Sequence, residues 1–115
     1  MEKIVKRRIK VRDKVIKDAK SFVRCVSKII KIKNAILFGS YARGDFNAWS
    51  DVDILIVADD EIPSNPIHRL EMIMKCIQKY PFIEPIIVNS IEYSRLKKKK
   101  NPIIQECEKY GIELI

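Results

Sequence analysis

Apolar residues recur along the first thirty positions in steps of three and four. Ile9, Ile16, Ala19, Val23, Val26 and Ile30 form a row broken only by Arg12, and Val15, Phe22 and Ile29 widen it. That spacing predicts one long amphipathic helix over residues 2–32, with lysines and arginines on its other faces. No Gly or Pro interrupts it. Repulsion among Lys6, Arg7 and Arg8 weakens its first turns. After Asn34 the period changes. Ala35 to Phe38 is a short apolar run that predicts a buried strand, ended by Gly39-Ser40. Tyr41 to Gly44 predicts a helical turn stopped by glycine, and residues 45–50 a polar loop carrying Trp49. Asp51 to Ala58 predicts a second strand, with Val52, Ile54 and Ile56 on one face and Asp51, Asp53, Leu55 and Val57 on the other.

A loop with two prolines leads to an expected helix over 67–79, with Ile67, Leu70, Ile73, Met74 and Ile77 toward the core. Phe82 to Val88 predicts a third strand. Ser90 is expected to cap a short helix through Arg95, followed by a basic loop at Lys97–Lys100. Pro102 to Tyr110 predicts a last helix with Gly111 as its C-cap, and Ile112 to Ile115 a final short strand. This order predicts an α/β (α+β) fold, a small β-sheet with helices packed on it, in a single domain over residues 1–115.

Charge changes the picture at one end only. Residues 1–33 hold 13 Lys/Arg against 3 Asp/Glu, and the remainder 10 against 12, so the net +8 belongs to the first segment. Such a field attracts polyanions or an acidic protein surface, although a solvated helix face reads the same way. No apolar run approaches the roughly 20 residues of a membrane span. The N-terminus lacks the apolar stretch of a secretory signal, and the expected location is the cytoplasm. Cys25, Cys76 and Cys107 are far apart, and no Cys-x-x-Cys is present. With His68 the only histidine, a zinc site is short of ligands. Three reduced, mostly buried thiols are expected, and His68 reads as a structural or surface residue.

The chemistry concentrates in Phe38-Gly39-Ser40-Tyr41-Ala42-Arg43-Gly44 and Ser50-Asp51-Val52-Asp53-Ile54. Glycine lets a backbone approach a phosphate closely, and the start of a helical turn offers free N–H groups to an anion. Gly39-Ser40 stands where both apply, and Arg43 follows one turn later. Asp51 and Asp53, two apart on a strand, project from one face. Two such carboxylates repel unless a cation lies between them, and magnesium combines carboxylates with phosphates and water.

These two stretches resemble the signature of the DNA polymerase beta-like nucleotidyltransferase superfamily, and the short length resembles its minimal (MNT) branch. The resemblance implies a polymerase beta-like fold. It implies a Gly39-Ser40 turn holding the β- and γ-phosphates of a nucleoside triphosphate, ATP above others, supported by Arg43. It also implies two magnesium ions on Asp51 and Asp53, and a third carboxylate on a later strand as ligand or base. Glu84 is the candidate for that third group, and Pro85 beside it suits an edge or bulged strand. Tyr41 and Trp49 flank the motif, either to stack on a nucleobase or to pack the turn and the core. Domains of this size are similar to the antitoxin partners of HEPN ribonuclease toxins, which implies transfer of AMP to a toxin tyrosine. Two other readings stay open: a non-catalytic nucleotide- or partner-binding module, and a basic nucleic-acid-binding protein using the first helix. Oligomeric state stays open as well.

Overall fold

The strand Val52–Ala58 is buried along almost its whole length, and side chains pack against it from both sides. Its odd and even positions feed two separate clusters. Val52, Ile54 and Ile56 join one; Leu55 and Val57 join the other. The computed structural model describes residues 2–59 and 61–115. The elements run α1 (Glu2–Ser27), β1 (Ile32–Phe38), α2 (Ser40–Arg43), β2 (Val52–Ala58), α3 (Pro66–Met72), α4 (Met74–Lys79), β3 (Ile83–Asn89), α5 (Ser90–Lys98), α6 (Pro102–Tyr110) and β4 (Ile112–Glu113).

The sheet order is β3-β2-β1-β4. β1 runs antiparallel to β2 and β4, whereas β2 and β3 are parallel, so the sheet is mixed. Parallel neighbours need a crossover, and α3 and α4 supply it. The larger cluster joins Phe22 and Val26 of α1 and Cys76 of α4 to one face of the sheet. The smaller joins Ile104 and Cys107 of α6, with Tyr93 and Leu96 of α5, to the other. β3 is an edge strand, which tolerates Pro85.

Four expectations need correction. First, α1 ends at Ser27 rather than residue 32, and Ile32 already belongs to β1. Its apolar row also packs only from Val15 onward, leaving Ile9 55% exposed. A 26-residue helix is about 39 Å long, whereas a seven-residue strand spans about 23 Å. One end of α1 must therefore overhang the sheet. Second, the expected helix over 67–79 divides at Ile73, whose N–H bonds back to Leu70 O at 3.2 Å in a tighter turn. Ile73 is buried, but Ile67 and Met74 are exposed, and the buried residue of α3 is Arg69. Third, Asn89 rather than Ser90 caps α5. Its side chain accepts from the Glu92 N–H while the Glu92 side chain accepts from the Asn89 N–H. That helix runs on to Lys98, so two lysines of the expected basic loop are helical.

Fourth, Cys25 and Cys76 are not free thiols. They form a disulfide between α1 and α4, with Cα atoms 5.9 Å apart. Their separation of 51 residues offers no local spacing to read. Closing such a loop restricts the unfolded chain by about 4 kcal/mol. Cys107 remains free and buried. Burial, with Glu106 and Glu108 nearby, pushes its thiol pKa up to about 12, which makes it a poor nucleophile.

Candidate active site

β1 ends where the chain must pass from a strand into a helical turn within two residues. Gly39 takes φ 80° and ψ −157° there, a backbone conformation that side chains disfavour. Its carbonyl accepts from the N–H groups of Ala42 and Arg43 at 3.1 and 3.0 Å, which starts α2 at Ser40. Gly44 closes that single turn in the left-handed region, donating to Ser40 O at 2.8 Å. The first N–H groups of the turn, at Ser40 and Tyr41, precede any intrahelical acceptor.

The register then brings the carboxylates to this bend. Phe38 is the cross-strand partner of Asp53, and Asp53 is in turn the partner of Glu84 on β3. A Cβ placed on Gly39 would collide with Oδ2 of the Asp53 carboxylate. Gly39 is thus required twice, for its φ and for the space Asp53 occupies. Asp51 precedes β2 by one residue and is exposed; Asp53 is half-buried and Glu84 exposed. Burial raises the pKa of Asp53 above the ordinary carboxyl value. The negative charges of Glu84 and Asp51 raise it further, against a lowering by Arg43. A second charge that lowers this tension, a divalent cation above all, suits the donor set. Among the described residues no three His, Cys, Asp or Glu side chains already converge on one point. The pair Asp51 and Asp53, completed by phosphate oxygens and water, matches the habit of magnesium better than a closed protein cage.

Arg43 lies one turn beyond the bend, but its guanidinium has partners. It donates to Asp45 Oδ2 at 3.2 Å and to Glu106 of α6. Those bonds raise its pKa. A direct phosphate contact by Arg43 requires exchange of these carboxylates. Tyr41 is buried and stacks on Phe46, with ring centroids 4.5 Å apart, so it packs the turn. Trp49 is 91% exposed and covers no core. His68 is exposed on α3.

Two residues that hold the site were not singled out from the sequence as functional. Arg12 donates from Nε to Tyr41 O and from Nη2 to Ala42 O, both at 2.7 Å. Arg8 donates to Gly44 O at 2.9 Å and Phe46 O at 2.8 Å, with its guanidinium carbon 4.3 Å from the Phe46 ring centroid. Together they cap the orphan carbonyls at the end of α2 with positive charge and fasten the phosphate-side turn to α1. The available signal was the interruption itself, a cation on the apolar row at Arg12. A cleft of about 420 Å³ lies at the far end of β2 and β3, lined by Ala58, Asp59, Asn89 and Ser90 among others. Asp51, Asp53 and Glu84 are not part of it; they lie at the opposite, N-terminal end of the parallel pair.

A family model for a nucleotidyltransferase domain matches residues 19–111. A Methanocaldococcus jannaschii protein named "putative protein adenylyltransferase" is 38% identical over 102 residues, covering 87% of this chain and 98% of that protein. A solved "putative nucleotidyltransferase" from Sulfolobus solfataricus superposes with a TM-score of 0.66 at 25% identity, over 92% of this chain and 84% of that one. A solved toxin-antitoxin complex with AMP-PNP contains a chain of the same fold, with a TM-score of 0.58 at 24% identity, over 85% of this chain and 72% of that one.

Proposed function

The chain belongs to the nucleotidyltransferase domain family, and from that premise we propose that it transfers AMP from Mg-ATP to a protein hydroxyl. The acceptor we favour is a tyrosine of a HEPN toxin, with this chain as its cytoplasmic antitoxin. The observation that carries the proposal is the Asp53 carboxylate seated against the Gly39 bend, with Glu84 in register beside it. The name of the M. jannaschii relative supports a protein acceptor, and the AMP-PNP of the toxin-antitoxin structure supports an adenine nucleotide.

In this reading the backbone and hydroxyl of Gly39-Ser40 bind the β- and γ-phosphates. Asp51 and Asp53, with Glu84 as third ligand or base, would hold two magnesium ions, which supply charge neutralisation at the attacking and leaving oxygens. The acceptor O–H attacks the α-phosphorus, its proton passes to Glu84, and the bond to pyrophosphate breaks as the new P–O bond forms. Arg8 and Arg12 keep the α2 turn fixed against α1 while this happens.

Incubating the chain with Mg-ATP and its cognate HEPN protein should add one AMP to a toxin tyrosine by mass spectrometry. Unmodified toxin, with ATP demonstrably bound, rejects the transfer. A binding module without turnover is the second reading, favoured by the exposed, unconverged state of Glu84. Glu84→Gln separates the two. Loss of AMP transfer supports chemistry, whereas a parent that neutralises toxin without transfer, and a variant that does so equally, supports binding alone.

A further inference from the structure

The first half of α1 has more apolar surface than a solvated helix needs. Ile4, Val5, Ile9 and Val11 are 64%, 55%, 55% and 46% exposed, on the same side of the helix as Arg8 and Arg12. That side does not end in solvent. Arg8 and Arg12 lead it onto the 41–46 turn, and two clefts of about 240 and 260 Å³ flank Arg8 where α1 crosses residues 44–48. Ala48 lines one cleft, and Trp49 comes next.

The backbone that carries Trp49 is not a loose loop. The Trp49 backbone N–H donates to Asn47 Oδ1 at 2.8 Å, and the Ser50 N–H donates to Asn47 O at 3.1 Å. An ordered turn therefore presents a tryptophan that is 91% exposed, two residues before Asp51. Exposed tryptophans of this kind are frequent anchors of protein interfaces. Around this apolar track, residues 2–14 carry seven Lys/Arg against two Asp/Glu. Aliphatic side chains find little to bury against on nucleic acid, so the mixture of aliphatic and cationic groups favours a protein face.

We infer that the overhanging half of α1 and Trp49 form one docking surface for the protein that receives the nucleotide. That partner presents an apolar patch edged with Asp and Glu. The inference rests on the proposed protein acceptor and adds where that acceptor sits. Its hydroxyl would approach Asp51 and Asp53 from the Trp49 side, and its acidic rim would face Lys6 and Arg7, which border the apolar track.

The test uses the full chain and the cognate HEPN protein as probe, with Kd from calorimetry and AMP transfer measured separately. Trp49→Ala should weaken the complex about 30-fold and Ile9→Asp about tenfold. The double variant Lys6→Glu/Arg7→Glu should weaken it about tenfold and flatten the salt dependence of the parent. The KM for ATP and the melting temperature should stay at parental values, since these side chains are exposed. Unchanged Kd in all variants, with AMP transfer intact, overturns the docking surface and leaves the proposed function standing. Variant-sensitive binding without AMP transfer does the reverse. No complex with the parent overturns both. A rise in the KM for ATP in Trp49→Ala alone makes Trp49 a nucleobase contact and overturns the inference. So does loss of a parental homodimer in the variants by ultracentrifugation, or variant-sensitive binding of a 20-nucleotide RNA with the protein Kd unmoved.

Discussion

Two carboxylates at opposite ends of the parallel strand pair have opposite environments. At the N-terminal end, burial and the negative neighbours Glu84 and Asp51 hold the pKa of Asp53 above its ordinary value. At the other end, burial also opposes the ionisation of Glu92, but the Asn89 N–H and Arg69 outweigh it and the pKa falls. Arg69 is itself buried. It donates to Ile87 O at 2.9 Å and pairs with Glu92 at 3.0 Å. One end of the sheet is an electrostatically satisfied joint between α3, β3 and α5. The other keeps like charges together without a partner of the same quality. The difference teaches where the fold is being held and where it is prepared to hold something else.

The sharpest way to break the comparison is Asp53→Asn. Transfer should fall by about 10³-fold or more, while the melting temperature holds or rises, because the substitution removes a repelled charge. A parallel loss of activity and stability would make Asp53 a structural group. Arg69→Ala should do the opposite. It leaves Glu92 without its cation and costs about 3 kcal/mol, lowering the melting temperature by more than about 10 °C, with kcat preserved at low temperature. Gly39→Ala lies between. The strained φ and the collision with Asp53 should cost about 2 kcal/mol, and displacement of the carboxylate about 100-fold in kcat.

The smallest effect is in pH. Asp53 has a folded pKa above its unfolded value, so its contribution to metal-free stability is full below the unfolded value and is lost as pH rises through the folded one. Glu92, with its lowered pKa, contributes above its unfolded value and loses that contribution as pH falls through the folded one. Magnesium should therefore raise the melting temperature by about 5 °C at neutral pH. That gain should vanish as acidification protonates Asp53. A magnesium effect independent of pH would remove Asp53 from the ligand set.

Much of this was legible in the order of residues. The alternation through β2 separated the two faces correctly, and Gly39-Ser40, Asp51 and Asp53 stood out because phosphate and metal chemistry demands those residue types at short spacing. Strand neighbours were harder. That Glu84 pairs with Asp53 depends on a parallel register formed across the α3–α4 crossover, which no local pattern encodes. The Cys25–Cys76 bond was hidden for the same reason. Arg8, Arg12 and Arg69 were not singled out because periodicity does not say what a cation binds, whereas here the carbonyls of the α2 turn and the Glu92 carboxylate hold them. The overhang of α1 follows from comparing its length with that of the sheet, a comparison available only once the strands are placed.

The central claim is that the acidic N-terminal end of β2 takes up divalent cations opposite the Gly39 bend. Titrating Mn²⁺ into the protein with a non-hydrolysable ATP analogue, followed by electron paramagnetic resonance, tests it directly. Two tightly held ions per chain in the parent, and at most one in Asp53→Asn, is the predicted result. Equal Mn²⁺ uptake by parent and variant would contradict it.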